Sequence, residues 1–285
     1  MRIKNGIIRR IIHFFGFRWS SKPFITGDGF RRLADHIYDE TGQCRAEDIV
    51  SQNTIFVQAD MLDLFFLQIH PKIACQYKLI THNSDRNILA SDVAKIDEKI
   101  ITWFAQNVVV EHPKLIPIPF GLDNFHWYHN GIPGLFRKFS KLKKEKRNRI
   151  LYGFSVATNT YERQPAYDCL SAIGLAEEIA WTNNPRRYLE ILTSYKFIAS
   201  PPGNGLDAPR QWQAMYVGVV PIVKKSAAMD SFKALGLPIW VVTDWEELKG
   251  LTENDLAECY KKIMDNANTE PLFLDYWIKR LREAC

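Results

Sequence analysis

The residues best suited to chemistry lie around a glycine-rich turn in the second half of the chain. Gly203, Asn204 and Gly205 follow a short apolar run at residues 196–200, which is typical of a buried parallel strand. Glycine and asparagine tolerate positive φ, and glycine lets a ligand approach the main chain closely. The sequence therefore predicts a strand that ends in a turn with room for a ligand.

The helix predicted over residues 208–217 supplies polar side chains beside this turn. Asp207 is placed to cap its first turn, and Arg210 and Gln213 lie three residues apart on one helix face. Free N–H groups at a helix start attract anions, and a guanidinium can donate two hydrogen bonds to phosphate oxygens. The spacing favours a site for an anion or a nucleotide diphosphate. The alternative is a tight strand-to-helix connection in which Arg210 is simply solvated.

A second polar set follows the strand predicted over residues 77–80. Residues 81–85 (THNSD) come where an α/β sheet presents its ligand-binding loops. His82 and Asp85 could act there as base, acid or hydrogen-bonding partner. A turn that caps the next helix would have the same composition, so both interpretations stay open.

The segment from Ser200 to Val223 resembles the donor-site segment of exostosin-like glycosyltransferases, whose pattern is approximately S-P-x-G-x-G-x-D-x-x-R-x-x-E-A-x-x-x-G-x-x-P-[IV]-[IV]. Gln213 stands where that family has a glutamate expected to bind the donor ribose or sugar, so donor identity or rate is open. Residues 81–85 and 116–124 extend the resemblance, which covers most of the chain from Ile25 to Val223. The matching donor-site positions are Ser200, Pro201, Gly203, Gly205, Asp207, Arg210, Ala214, Gly218, Pro221, Ile222 and Val223.

The resemblance implies transfer of a sugar from a nucleotide sugar, with a UDP-sugar favoured, to a hydroxyl of a glycan or lipid-linked acceptor. It implies surface polysaccharide synthesis, no metal and no cofactor. The acceptor would meet Asp85 or His82, with Asp28 of the turn at residues 27–29 as the next candidate. The donor would be held by Arg210, Arg163, Asn159, Asp207 and the turn Gly203–Asn204–Gly205, with Gln213 on its ribose or sugar.

Alternating strands and helices predict an α/β chain with two Rossmann-like domains facing a cleft, a GT-B-like arrangement. Strands are predicted at residues 23–26 and 179–181, among others, and helices at 30–40 and 271–283. The predicted divisions are an amphipathic basic helix at 1–20, an acceptor domain at 21–135, a basic linker at 136–148 and a nucleotide-sugar-binding domain at 149–285.

Composition is that of a globular protein large enough for two domains. The chain has 285 residues, 46% of them hydrophobic, and a net charge of +5, too weak to predict nucleic-acid binding. Five scattered cysteines indicate reduced thiols and a cytoplasmic protein, and no apolar run reaches the ~20 residues of a membrane span. The basic, aromatic-rich N-terminus and the basic linker would suit the anionic inner face of a membrane.

Two other functions fit the same residues. A sugar-nucleotide epimerase can use the same two-domain frame, and it would form product without an acceptor. A non-catalytic nucleotide-sugar-binding protein is the other, because Gln213 replaces the family's charged residue. Such a protein would bind a nucleotide sugar without turnover.

Overall fold

The computed structural model describes Ile11 and residues 17–127, 132–180 and 182–284. The chain divides into two compact units. Unit 1 comprises Met1–Gly131 and Phe273–Cys285, and unit 2 comprises Ile132–Leu272. Each unit contains one mainly parallel β-sheet with helices, so the chain is a mixed α/β protein.

Unit 1 is built on a six-stranded sheet. Its strands are β1 (His36–Asp39), β2 (Gly42–Gln43), β3 (Thr54–Gln58), β4 (Tyr77–His82), β5 (Ile100–Ala105) and β6 (Leu115–Pro117). The order is β2-β1-β3-β4-β5-β6, in which β2 alone is antiparallel to its neighbour. The helices in this part of the chain are α1 (Gly27–Arg31), α2 (Leu62–Gln68) and α3 (Ala90–Val93).

Unit 2 contains a five-stranded parallel sheet. In chain order its elements are α4 (Pro133–Phe139), β7 (Arg147–Tyr152), α5 (Thr160–Ala172), β8 (Ala176–Glu178), α6 (Pro185–Leu192), β9 (Tyr195–Ala199), α7 (Pro209–Tyr216), β10 (Val220–Lys224), α8 (Ala227–Ala234), β11 (Trp240–Val242) and α9 (Glu253–Asp265). The chain then returns to unit 1 as α10 (Leu274–Glu283).

The strand order of unit 2 reverses between two central strands. The order is β11-β10-β9-β7-β8, so β8 is added on one side of β7, while β10 and β11 are added on the far side of β9. Helices α5 and α9 share a core with the sheet through Ala166, Leu170 and Leu256. The apolar face of α7 is buried: Trp212 is fully buried, with Met215 and Tyr216 each 5% exposed.

Several predicted elements of unit 1 are wrong. The helix expected over residues 30–40 is the short α1 followed by β1, because Ile37 and Tyr38 pair with β3 as a strand. The strand expected over residues 23–26 is outside the sheet, where Phe24 forms an isolated bridge to Phe273. The parallel strands of unit 1 follow chain order, β1-β3-β4-β5-β6, and the order departs from the chain only at the antiparallel β2, which lies on the outer side of β1.

The strand expected at residues 179–181 also differs, since β8 ends at Glu178. Pro221 lies inside β10, opposite Ile198. Residues 273–285, expected in the second domain, belong to unit 1, where the Leu274 N–H donates to the Pro23 carbonyl and Lys78 Nζ donates to the Leu281 carbonyl.

Two predicted segments have only partial descriptions. Residues 1–10 and 12–16 of the predicted amphipathic helix lie outside the described residues, and residues 17–20 are not helical. The first residues of the predicted basic linker, 136–139, belong to α4, which buries Phe136 and Phe139. In the described part of the chain no helix is long and apolar enough to cross a membrane.

Candidate functional site

The strand-order reversal of unit 2 brings two loops together. One follows β7 and the other follows β9, and these strands are neighbours in the sheet. Parallel α/β sheets bind ligands outside the carboxyl ends of the strands, at the point where the strand order reverses. The glycine-rich turn at residues 203–205 lies in the second of these loops. This edge of unit 2 is therefore its candidate ligand site.

Arg163, on α5, joins the two loops through backbone carbonyls. Its Nε donates to the Pro202 carbonyl and its Nη1 donates to the Ser155 carbonyl, each at 2.9 Å. Neither partner carries a charge, and no carboxylate within the described residues forms an ion pair with this guanidinium. Burial, together with the positive charge of Arg210, lowers the pKa of Arg163. An anionic ligand would supply the negative charge that this partly buried guanidinium lacks.

Arg210 adds a second cation at the same place. It is half-buried in the first turn of α7, and no carboxylate forms an ion pair with it within the described parts of the chain. The Tyr188 hydroxyl on α6 is buried and lies beside Arg210. Burial raises the pKa of Tyr188, and the nearby charge of Arg210 opposes that rise. Two guanidiniums and a phenol hydroxyl thus lie close together, with hydrogen-bond donors that a ligand could use.

Gly203 leaves room for the Arg163 side chain, which lies against it. A Cβ built at this position would be 2.7 Å from Arg163 Nη2, which is closer than real Cβ contacts. The φ of Gly203 is not positive, so the residue serves close approach and not a left-handed turn. Asn159 fixes the arrangement: its Oδ1 accepts from the Glu162 N–H as the cap of α5, and its Nδ2 donates to the Gly203 carbonyl at 2.8 Å.

The other predicted donor-site residues have different surroundings. Asp207 is buried and its Oδ1 accepts from Trp212 Nε1 at 2.7 Å, while the N-cap position of α7 is occupied by Ala208 and not by Asp207. Gln213 is 7% exposed, and its amide has no hydrogen-bonding partner among the described residues. Asn204 is exposed on the turn and Gly205 is buried. Contact of these residues with a donor stays a prediction.

Unit 1 holds a separate cluster around the carboxyl group of Asp28. This side chain is 2% exposed, with Oδ1 3.3 Å from Arg18 Nε and Oδ2 4.0 Å from His126 Nδ1. The Asp28 N–H donates to Asn124 Oδ1 at 2.7 Å. Burial raises the pKa of Asp28 to about 6, although the charges of Arg18 and Arg31 oppose the rise. A carboxyl group with such a pKa can exchange a proton near neutral pH.

His82 supports this cluster with both of its ring nitrogens. Nε2 lies 3.0 Å from the Pro119 carbonyl and must carry the proton, while Nδ1 accepts from the Asn83 N–H at 2.7 Å. Burial lowers the pKa of His82 to about 4, so the ring is neutral at pH 7. Asn83 Oδ1 in turn accepts from Asn124 Nδ2 at 3.0 Å. These bonds make His82 a positioning residue for the loops around Asp28.

Asp85, predicted beside His82, is exposed in the loop after β4. The structure therefore brings His82 and Asp28 into one buried region of unit 1 and leaves Asp85 at its surface. Among the described residues, no group of three or more His, Cys, Asp and Glu side chains is placed to hold a metal ion.

Sequence reasoning missed three residues of these two clusters. Arg18 belongs to the N-terminal run of basic and aromatic residues, and its spacing gave no sign of a buried partner at Asp28. Tyr188 lies on α6, which crosses from β8 to β9, so only the strand order explains why it meets Arg210. His126 had a detectable signal, because it is the only polar residue within Phe125-His126-Trp127.

Comparisons with known proteins are limited to structure. No family model matches the chain, and no curated protein is significantly similar to it. Among solved structures, one titled "Crystal Structure of TarM" is 12% identical over 80% of this chain and 54% of that chain, with a TM-score of 0.40. The chain thus spans about half the length of that structure, and a likeness at this TM-score carries no functional argument.

Proposed function

We propose that this chain is a glycosyltransferase, of the exostosin-like type, that uses a nucleotide sugar, with a UDP-sugar favoured, and transfers its sugar to a hydroxyl of a glycan or glycolipid. The observation that carries the proposal is the pairing of Arg163 and Arg210 at the strand-order reversal of unit 2. Both guanidiniums lack a carboxylate partner among the described residues, and the Tyr188 hydroxyl lies beside them. A diphosphate would supply the missing negative charge.

The reaction needs two kinds of group. The acceptor oxygen bonds to the anomeric carbon of the donor sugar while the bond from that carbon to the diphosphate oxygen breaks. The diphosphate leaves with the electron pair, and Arg163 and Arg210 stabilise its charge. The acceptor hydroxyl loses its proton to a general base. We assign that role to Asp28, because its raised pKa and burial suit it better than the exposed Asp85 or the internally bonded His82.

The direct test is UDP binding by isothermal titration calorimetry. Arg210→Ala should weaken UDP binding by roughly 10–150-fold, the range of one charge-assisted hydrogen bond. Tyr188→Phe should weaken it less, because the variant removes one neutral donor and keeps the ring. Failure of the wild-type chain to bind any nucleoside diphosphate would contradict the proposal.

The matched control is Arg186→Ala. Arg186 lies on α6, and its side chain is exposed and forms an i,i+4 ion pair with Glu190. Its replacement removes the same charge from unit 2 without touching the loops after β7 and β9. UDP should bind this variant as it binds the wild type. Equal weakening in Arg186→Ala and Arg210→Ala would mean that general positive charge, and not a site, attracts the nucleotide.

A further inference from the structure

The Arg18 guanidinium in unit 1 is shared between two carboxyl groups. Its Nε lies 3.3 Å from Asp28 Oδ1, and its Nη2 donates to Glu40 Oε1 at 3.0 Å. Nε and Nη2 lie on one edge of a guanidinium group, and in a bidentate pair this edge can donate to both oxygens of a single carboxylate. Arg18 therefore divides between Asp28 and Glu40 two donors that could bind one of them.

Two other arginine–aspartate pairs of unit 1 are closer. Arg45 binds Asp48 with both atoms of this edge, through Nε at 2.8 Å and Nη2 at 2.7 Å, and Arg31 Nε donates to Asp39 Oδ2 at 2.6 Å. Burial acts to raise the pKa of Asp39, but the hydrogen bonds that its carboxylate accepts, first that from Arg31, hold its pKa below the ordinary value. The closeness of the arginine, as well as burial, therefore decides whether a carboxyl group in this unit stays ionised.

We propose that Glu40 is a positioning residue, which holds Arg18 Nη2 away from Asp28 and so prevents a bidentate pair between this arginine and the Asp28 carboxylate. Its part in catalysis rests on the proposed function, in which Asp28 is the general base. A carboxylate in a bidentate pair with arginine would be a weaker base for the acceptor hydroxyl. The negative charge of Glu40 acts in the same direction, because it disfavours a second negative charge on Asp28.

The place of Glu40 in the fold suits this role. It directly follows β1, and its side chain is 52% exposed, whereas the side chain of Arg18 is only 4% exposed. Replacement of a surface carboxylate leaves no cavity, so Glu40 can be changed while the buried guanidinium stays in the protein. The proposal can therefore be tested without removing Arg18.

Other titratable groups also lie near the Asp28 carboxyl group: His126, Arg31 and His82. His126 Nδ1 is 4.0 Å from Asp28 Oδ2, and Arg31 is bound through its Nε to the carboxylate of Asp39. Burial lowers the pKa of His82 to about 4, so its ring is neutral at pH 7. Replacement of Glu40 leaves all three groups in place, so a changed titration of Asp28 can be attributed to the pairing of Arg18.

The test is a pH titration of the Asp28 carboxyl carbon by NMR of the full chain with isotope-labelled aspartate, in which Asp28→Asn identifies the signal. In Glu40→Ala, Arg18 Nη2 can turn to Asp28, so the midpoint should fall by about one pH unit, or tenfold in proton affinity. Glu40→Gln keeps an oxygen that accepts from Nη2, so its midpoint should fall less. Glu47→Ala is the control, because it removes an exposed carboxylate of the same unit that lies 3.7 Å from Arg45 Nε, and it should leave the midpoint unchanged.

An unchanged midpoint in Glu40→Ala would overturn the inference. A midpoint that rises would also overturn it, because Glu40 would then direct Arg18 toward Asp28.

Transfer kinetics separate this inference from the proposed function. If Asp28 is the general base, the acid limb of the transfer rate against pH should move to lower pH in Glu40→Ala by the same amount as the NMR midpoint. If the NMR midpoint falls and the rate profile does not move, Glu40 positions Arg18 as inferred, while the assignment of Asp28 as base fails. If the wild type binds no nucleoside diphosphate, the proposed function fails, and the NMR midpoint still decides whether Glu40 controls the pairing of Arg18.

Discussion

The two polar clusters of this molecule handle charge in opposite ways. In unit 1 the Asp28 carboxylate is surrounded by partners from its own chain, with Arg18 at 3.3 Å and His126 at 4.0 Å. In unit 2 Arg163 is held by neutral carbonyls, and neither Arg163 nor Arg210 has a carboxylate partner among the described side chains. The first cluster is nearly complete without a ligand, whereas the second has positive charge that nothing in the described chain neutralises.

This difference indicates what each cluster can do. A charge that the protein does not neutralise favours binding, because the ligand gains the whole electrostatic interaction. A buried carboxyl group with partial compensation favours proton exchange, because its pKa lies near neutral pH. In the proposed function, unit 2 therefore supplies ligand affinity and unit 1 supplies proton transfer. Substitutions in the two clusters should change different measured quantities.

The largest effect is expected at Asp28. Asp28→Asn keeps the shape of the side chain and removes the proton acceptor, so the rate of sugar transfer should fall by roughly 10²–10⁴-fold. UDP affinity should not change, since the proposed donor site belongs to the other cluster. Asp275→Asn is the control, because it removes an exposed carboxylate of unit 1 that pairs with Lys22. A large loss of UDP affinity in Asp28→Asn would break the division between the clusters.

The same variant carries a pH signature. Because burial raises the pKa of Asp28 from 3.8 to about 6, the folded state binds this proton more tightly than the unfolded state does. The contribution of Asp28 to stability is therefore full below about pH 4 and is lost as pH rises through 6. Relative to Asp28→Asn, the wild type should gain roughly 2–3 kcal/mol between pH 7 and pH 4, measured by urea unfolding. Transfer should fall about tenfold per pH unit below pH 6.

Sequence alone located the strands of both sheets better than it located the sites. The apolar runs of β3, β4, β5 and β9 and the turn before α7 were predictable from local pattern, because each pattern extends over fewer than ten consecutive residues. Burial of Asp28 depends on residues 18, 124 and 126, which the fold brings together from distant parts of the chain. The meeting of Tyr188 and Arg210 depends on strand order, which no local pattern encodes.

A smaller effect is expected from Gly203→Ala in unit 2. The added methyl group would sit 2.7 Å from Arg163 Nη2, so the guanidinium must move from its place between the two loops. UDP affinity should fall about tenfold with little change in stability, because Arg163 is a flexible side chain. Gly174→Ala is the control, since a Cβ there meets nothing within 4 Å. Unchanged UDP affinity in Gly203→Ala would remove Arg163 from the donor site.

The smallest effect is expected at Gln213. Its replacement tests whether α7 contacts the sugar or ribose of the donor as well as the phosphates. Gln213 is 7% exposed and its amide is not bonded within the described chain, so a ligand could provide its partner. Gln213→Leu has a similar volume and should weaken UDP-sugar binding about fivefold, the scale of one neutral hydrogen bond. Arg210 keeps the phosphates in this variant, so binding of inorganic pyrophosphate should not change.

Gln213→Glu sharpens the same comparison, because a carboxylate accepts two hydroxyl bonds where the amide accepts at one oxygen. If Gln213 faces the ribose or the sugar, the Glu variant should change UDP-sugar affinity or donor choice by roughly 1–2 kcal/mol, while pyrophosphate again binds as before. If both variants bind UDP-sugars and pyrophosphate like the wild type, Gln213 is a packing residue of α7. Recognition in unit 2 would then stop at the diphosphate, and choice of the sugar would have to depend on other residues.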